Sequence, residues 1–169
     1  MARFFDAFEA SFIDAIFDLT SDERWAEEAK HFSERHLVSK EEAQGLSRRN
    51  PSQMHSFFNE DWDANRIKDE IVLETMGKEA FLKQIMSSAR DGFYGVLIPI
   101  RNCGTAVTCI RDDDNEVIGF TEEPCNVAVV VFSIELDRSA GYEVIYRMNL
   151  RTVYPANQAL IRRERTGKF

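Results

Sequence analysis

The chain is poor in the residues on which disulfide and metal chemistry depend. It holds three cysteines and three histidines in 169 residues. Cys103, Cys109 and Cys125 are odd in number and show no Cys-x2-Cys spacing, so neither a disulfide framework nor a zinc ribbon fits. They read as reduced, buried thiols, which suits a protein working in a reducing compartment. No His-x3-His pair occurs, and His31 and His36 fall on different sides of a helix. A phosphate loop, a dinucleotide fingerprint and a Gly-x-Ser-x-Gly elbow are all missing, which removes three large enzyme classes. The run Asp112-Asp113-Asp114-Asn115 lacks the glycine and glutamate of a calcium loop and reads as a solvated turn. No apolar stretch approaches the ~18 residues of a membrane helix. Acidic residues break the apolar N-terminus, MARFFDAFEASFIDAIFDLTSDE, and no small-residue cleavage site follows it, so it is not a signal peptide.

Positive charge is also scarce. The formal net charge is -8, which excludes a basic protein that coats RNA along its whole surface. The imbalance is local, however. Asp6, Glu9, Asp14, Asp18, Asp22, Glu23, Glu27 and Glu28 face only Arg3 and Arg24 within residues 1–29, and they carry most of the excess. The C-terminal end is basic, with Arg147, Arg151, Arg162, Arg163, Arg165 and Lys168 against Glu164. An anionic ligand is compatible with that end of the chain.

What is present supports one soluble domain with a core: 44% hydrophobic and 30% charged residues. The first half reads helical. Phe5, Phe8, Phe12 and Ile16 recur at helical steps, and Thr20-Ser21-Asp22-Glu23 offers a capping box for a helix to about His36. A third helix spans Lys40 to about Arg49 and ends before Asn50-Pro51. The stretch SFFNEDWDANRIKDEIVLETMG is expected to enter a helix near Glu60 and leave it at Gly77. Phe81, Leu82, Ile85 and Met86 suggest one more. The second half changes period: FYGVLIPI, TAVTCI, EVIGF, NVAVVVFSIEL and YEVIYRMNLRTVY are strand-like runs separated by turns. Helices followed by hairpin-connected strands predict an α+β fold with an antiparallel sheet. Residues 1–29 stand apart as an acidic amphipathic segment, with the main domain over 30–169.

The final strand ends in Arg-Thr-Val-Tyr-Pro. Thr152 and Tyr154, two apart, place two hydroxyls on one face, and Pro155 is expected to stop the strand. Either residue could simply be strand-favouring structure. Histidine is the natural general base at neutral pH, though each of the three is more often a surface or capping residue. His36 differs in closing a helix and preceding Arg48-Arg49, a pair of cations at the next helix end.

These pieces carry a resemblance. KHFSERHLVSKEEAQGLSRR, then HSFF before the helix DANRIKDEIVLE, then strands ending in RTVYPAN, resemble the RNase A-like toxin domain. That family forms C-terminal warheads of bacterial contact-dependent growth-inhibition proteins and related polymorphic toxins. The likeness covers roughly residues 30 to 157. It implies an RNase A-like architecture of the barnase–EndoU–RelE toxin type, and metal-independent cleavage of RNA by attack of a 2′-hydroxyl on the adjacent phosphodiester. His36 aligns with the family's catalytic histidine, one of Arg48 and Arg49 with its arginine, and Thr152 and Tyr154 with its threonine and tyrosine. His36 is followed by Leu-Val where Val-Gly is usual, Val153 replaces a common alanine, and residues 1–29 have no counterpart. The family further implies an RNA substrate, a cognate immunity protein as partner, no cofactor, and action in a cytoplasm reached by delivery from another bacterial cell. The chain would then be an excised domain or a small stand-alone relative.

Two other readings stand beside it. An acidic immunity-type protein that blocks a basic nuclease would use residues 1–29 as an electrostatic lure. A purely structural domain would leave His36 as a helix-end cation.

Overall fold

A computed structural model describes residues 10, 13, 14, 30–76, 78, 92–137 and 145–166. In order, they form α1 (Lys30–His36), α2 (Lys40–Arg49), β1 (Met54–Phe58), α3 (Ala64–Thr75), β2 (Gly92–Arg111), β3 (Val117–Asp137), β4 (Ile145–Ala156) and α4 (Gln158–Thr166). The expected helices around Phe5 and Phe81, the cap at Thr20 and the turn at Arg138 lie outside the described residues.

The α+β class expected from the sequence is the one observed, and the strands of the described residues form a four-stranded antiparallel sheet in the order β1-β2-β3-β4. The stretches FYGVLIPI and TAVTCI belong to one strand, interrupted by an irregularity between Pro99 and Gly104. Asn102 takes a left-handed φ of 53° there, a conformation asparagine tolerates better than most residues. Asn115, at φ 65°, closes the β2–β3 hairpin at the acidic turn. The helices do not all precede the sheet. Met54–Phe58 is a strand, although its sequence reads as the approach to a helix. The following helix starts at Ala64, later than Glu60, because Asp63 caps it by accepting from the Arg66 N–H at 2.8 Å.

The main core gathers Phe32 of α1, Phe58 of β1, Ile67 and Ile71 of α3, and Ile98, Val130 and Val153 of the sheet. Ile67 and Ile71, one turn apart, are fully buried, which is the amphipathic stripe that holds α3 on the sheet. On the opposite face, Ala43 of α2 covers Phe57 and Val107, while Ile161 of α4 covers Val129 and Tyr154. α2 carries a full capping box, with Ser39 and Glu42 each bonding the other's backbone N–H.

The sheet curls far enough that its two edge strands, β1 and β4, touch. Gly104 permits the approach. A Cβ on it would lie 2.4 Å from the Phe57 carbonyl oxygen and 2.6 Å from the Pro155 ring, so only a residue without a side chain fits. Pro155 itself does not end β4, as the sequence suggests it should. The strand runs on to Ala156 and pairs only with β3, and an edge strand tolerates the missing donor.

Candidate active site

The contact between β1 and β4 is where α1 comes to rest, and α1 ends on His36. Phe32 and His36 are one helical turn apart and point the same way. Phe32 goes into the core, edge-on to Phe58 at 5.9 Å between ring centroids. His36 stays above it, between the two edge strands. Its ring lies 5.4 Å from that of Tyr154 on β4 and 5.2 Å from that of His55 on β1. The two imidazoles are nearly parallel, at 7°. All three rings are more than nine-tenths buried.

Two hydrogen bonds fix the imidazoles. His36 Nδ1 is 2.7 Å from the Ser56 carbonyl oxygen, and His55 Nε2 is 2.5 Å from that of Arg35. A carbonyl can only accept, so His36 carries its proton on Nδ1 and His55 on Nε2. When the His36 ring is neutral, its lone pair is then on Nε2, the arrangement a general base needs.

Thr152 and Tyr154 share a face of β4: they sit opposite Val131 and Val129. Tyr154 packs with Val129, Ala156 and Ile161. The Thr152 hydroxyl oxygen is buried and has no hydrogen-bond partner among the described residues. Leaving such a group unmatched costs about 1–3 kcal/mol, and a polar ligand atom would satisfy it. Immediately before it, a register shift between Val131 and Phe132 makes Arg151 the extra residue of a bulge, a device that re-aims side chains near functional sites.

The arginines are placed differently. The Arg48 guanidinium lies 5.1 Å over the ring of Phe120, and its carbonyl accepts from Arg111 at 2.9 Å. Arg49 donates Nε–H to the Gly45 carbonyl of its own helix at 3.2 Å. Neither makes a hydrogen bond, ion pair or ring contact with His36, His55 or Tyr154 among the described residues. The structure thus brings together His36 and Tyr154, puts Thr152 on the Tyr154 face, and leaves Arg48 and Arg49 at the end of α2.

The residue that sequence reading missed is His55. Its only signal is a histidine inside the short apolar run Met-His-Ser-Phe-Phe, a pattern equally common for a satisfied core histidine.

Glu122 stands in the same cross-strand row as Val107 and His55 and pairs with Lys40 at 2.6 Å. The hydrogen bond to Glu122, with its charge, raises the Lys40 ammonium above its ordinary value. A cavity of about 510 Å³ opens at the start of α4, lined among others by Glu123, Asn126, Asn157 and Arg162. None of the candidate residues lines it. No three His, Cys, Asp or Glu side chains gather to hold a metal ion among the described residues, and none of the described helices is long and apolar enough to cross a membrane.

What the fold and site define is an α+β domain with a histidine–tyrosine stack where its sheet edges meet. No protein-family model and no curated protein matches the sequence. Among solved structures, a chain of the CdiA-CT/CdiI complex from Y. kristensenii 33638 is similar, at 14% identity and a TM-score of 0.44. The match covers 75% of this chain and 98% of that one. At that identity and TM-score the likeness transfers neither a family nor an activity to this chain.

Proposed function

We propose that the domain is a metal-independent endoribonuclease of the toxin type, which cuts RNA by attack of a 2′-hydroxyl on the neighbouring phosphorus. The observation that carries this reading is the setting of His36. Its Nδ1–H is bound to the Ser56 carbonyl, which in the neutral ring puts the lone pair on Nε2, and it packs on a tyrosine that lies more than a hundred residues away in sequence.

In this mechanism His36 Nε2 takes the 2′-OH proton, and the 2′-oxygen forms its bond to phosphorus. The bond from phosphorus to the 5′-oxygen then breaks, that oxygen takes up a proton from water, and His36 later returns its proton to solvent. The products are a 2′,3′-cyclic phosphate and a 5′-hydroxyl. The imidazolium formed on the way sits at the last residue of α1, where the helix dipole favours a cation. The Thr152 hydroxyl, buried and unmatched, donates to a non-bridging oxygen, and Tyr154 helps to orient the phosphate. Charge on the phosphorane is met by an arginine. Arg48 suits the role better than Arg49: its stacking on Phe120 holds the plane and leaves its N–H edges for an anion, whereas Arg49 spends Nε–H on Gly45. The domain spans residues 30–169, with 1–29 as an appended acidic segment. Its further partner is a cognate immunity protein.

The test is cleavage of a short RNA by the parent and by His36→Asn, a variant that can still donate to Ser56 but has no basic nitrogen. A loss of at least ~10² in rate is expected for a missing general base. The excess acidity, including the exposed run Asp112–Asp114, favours a second reading, an immunity-type protein that blocks a basic nuclease. An intact RNA substrate together with tight binding to a cationic nuclease would select that one.

A further inference from the structure

The two histidine bonds are reciprocal. His36 of α1 binds the carbonyl of Ser56, the neighbour of His55, and His55 of β1 binds the carbonyl of Arg35, the neighbour of His36. Each ring thereby pins the backbone that carries the other, and the rings lie face to face at 5.2 Å and 7°. From this geometry we infer that His55 is a positioning residue for His36: it clasps the end of α1 to β1 and so sets the ring plane and the tautomer of His36.

The physical need for such a clasp is plain. α1 ends at His36, and residues 37–39 leave the helix. Its last carbonyls have no partner inside the helix, and His55 supplies one to Arg35. Ties near that end also include the burial of Phe32 and the Leu37 N–H on the Phe32 carbonyl at 3.2 Å. Without His55, the terminal turn can fray, and the His36 ring can rotate about χ1 and χ2 away from Ser56. A histidine released to water prefers its proton on Nε2, which would block the nitrogen assigned as base. Stacking adds a second constraint, because each ring presents a flat face that favours a parallel neighbour. The stack also explains why the position holds a flat ring with a hydrogen-bond donor and not an aliphatic strand former.

The clasp stands on geometry alone, while the catalytic consequence rests on the ribonuclease reading. The test separates them. In the full chain labelled with 15N, long-range 1H–15N correlations at pH 8 report which ring nitrogen of each histidine is protonated. The expected result is opposite tautomers, Nδ1–H for His36 and Nε2–H for His55. His36 protonated on Nε2 in the parent would overturn the inference whether or not any variant folds. In His55→Phe, which keeps a ring and removes the donor, the Nδ1–H form of His36 should lose its dominance. RNA cleavage should fall in kcat by up to about 10²-fold, as for a misplaced group, with KM changed by less than about threefold. His55→Gln, which can still donate to Arg35, should recover part of both. An unchanged His36 tautomer and full kcat in His55→Phe would remove the positioning role. If the tautomers respond as described but neither parent nor variant cleaves RNA, the clasp stands and the ribonuclease reading falls.

Discussion

Gly104→Ala adds one methyl group at a position that touches no candidate catalytic residue, yet it should damage both the fold and the site. The new Cβ would lie 2.4 Å from the Phe57 carbonyl oxygen and 2.6 Å from Cβ and Cγ of Pro155. Ordinary contacts of this kind begin near 3.4 Å, so about 1 Å of separation must be found. None of the neighbours is a flexible side-chain tip: one is backbone of β1, the other the ring of a proline in β4. Overpacking of a core costs about 1–3 kcal/mol when side chains can yield, and here backbone has to move, so the upper end of that range applies. For a domain of this size, about 3 kcal/mol corresponds to a fall in Tm of about 6–12 °C. The motion that relieves the clash pushes β1 and β4 apart, and these strands carry His55 and Tyr154 on either side of His36. Thermal unfolding followed by circular dichroism, together with RNA cleavage at a temperature where the variant is folded, measures both effects. A Gly104→Ala protein with parental Tm and parental cleavage would refute the claim that this contact sets the closure of the sheet and the spacing of the site.

Other consequences can be checked independently. Thr152→Val and Tyr154→Phe each remove one hydroxyl while keeping shape. Each should lower kcat about tenfold to a hundredfold with little effect on KM, below the ~10²–10³ measured for a strong oxyanion donor. The double variant should fall short of the product of the two effects, and parental turnover in all three would leave Thr-x-Tyr-Pro as ordinary strand structure. Burial pushes the Cys103 and Cys125 thiols from an ordinary 9.0 up to about 12, so a thiol reagent at pH 8 should label neither until the protein unfolds. Because these values are raised in the folded state, their contribution to stability is complete below pH 9.0 and is lost as pH rises towards 12. Denaturant midpoints across that range should fall, and less steeply in Cys103→Ala. Ser39→Ala removes one arm of the α2 capping box and should cost about 1 kcal/mol, readable as a lower denaturant midpoint with unchanged slope.

The parts of the fold that the sequence announced are those whose residues face one way. Ile67 and Ile71 mark α3, and the alternation of Thr152, Val153 and Tyr154 across β4 is visible without coordinates. β1 was hidden because both of its faces are covered: every residue from Met54 to Phe58 is buried, so no polar–apolar alternation exists to be read. α4 escaped for the opposite reason, as among its described side chains only Leu160 and Ile161 face inward. Its start was nonetheless marked by Asn157, whose side chain accepts from the Leu160 N–H at 2.9 Å. The site divides along similar lines. A histidine at the end of a helix and two hydroxyls on one face of a strand are local patterns. The partnership of His36 with His55 depends on where α1 crosses β1, which no spacing in the sequence encodes. The arginines show the converse: their pairing at a helix end is legible, but the ring that Arg48 lies over, Phe120, is distant in sequence.

The central claim is tested most directly by the termini left on RNA. A short end-labelled RNA incubated with the purified chain in EDTA, beside the His36→Asn variant with matched Tm, should yield fragments ending in 2′,3′-cyclic phosphate. The variant should form them at least ~10²-fold more slowly. RNA left intact by the parent, cleavage that stops in EDTA and returns with a divalent ion, or equal rates in parent and His36→Asn would each contradict the account.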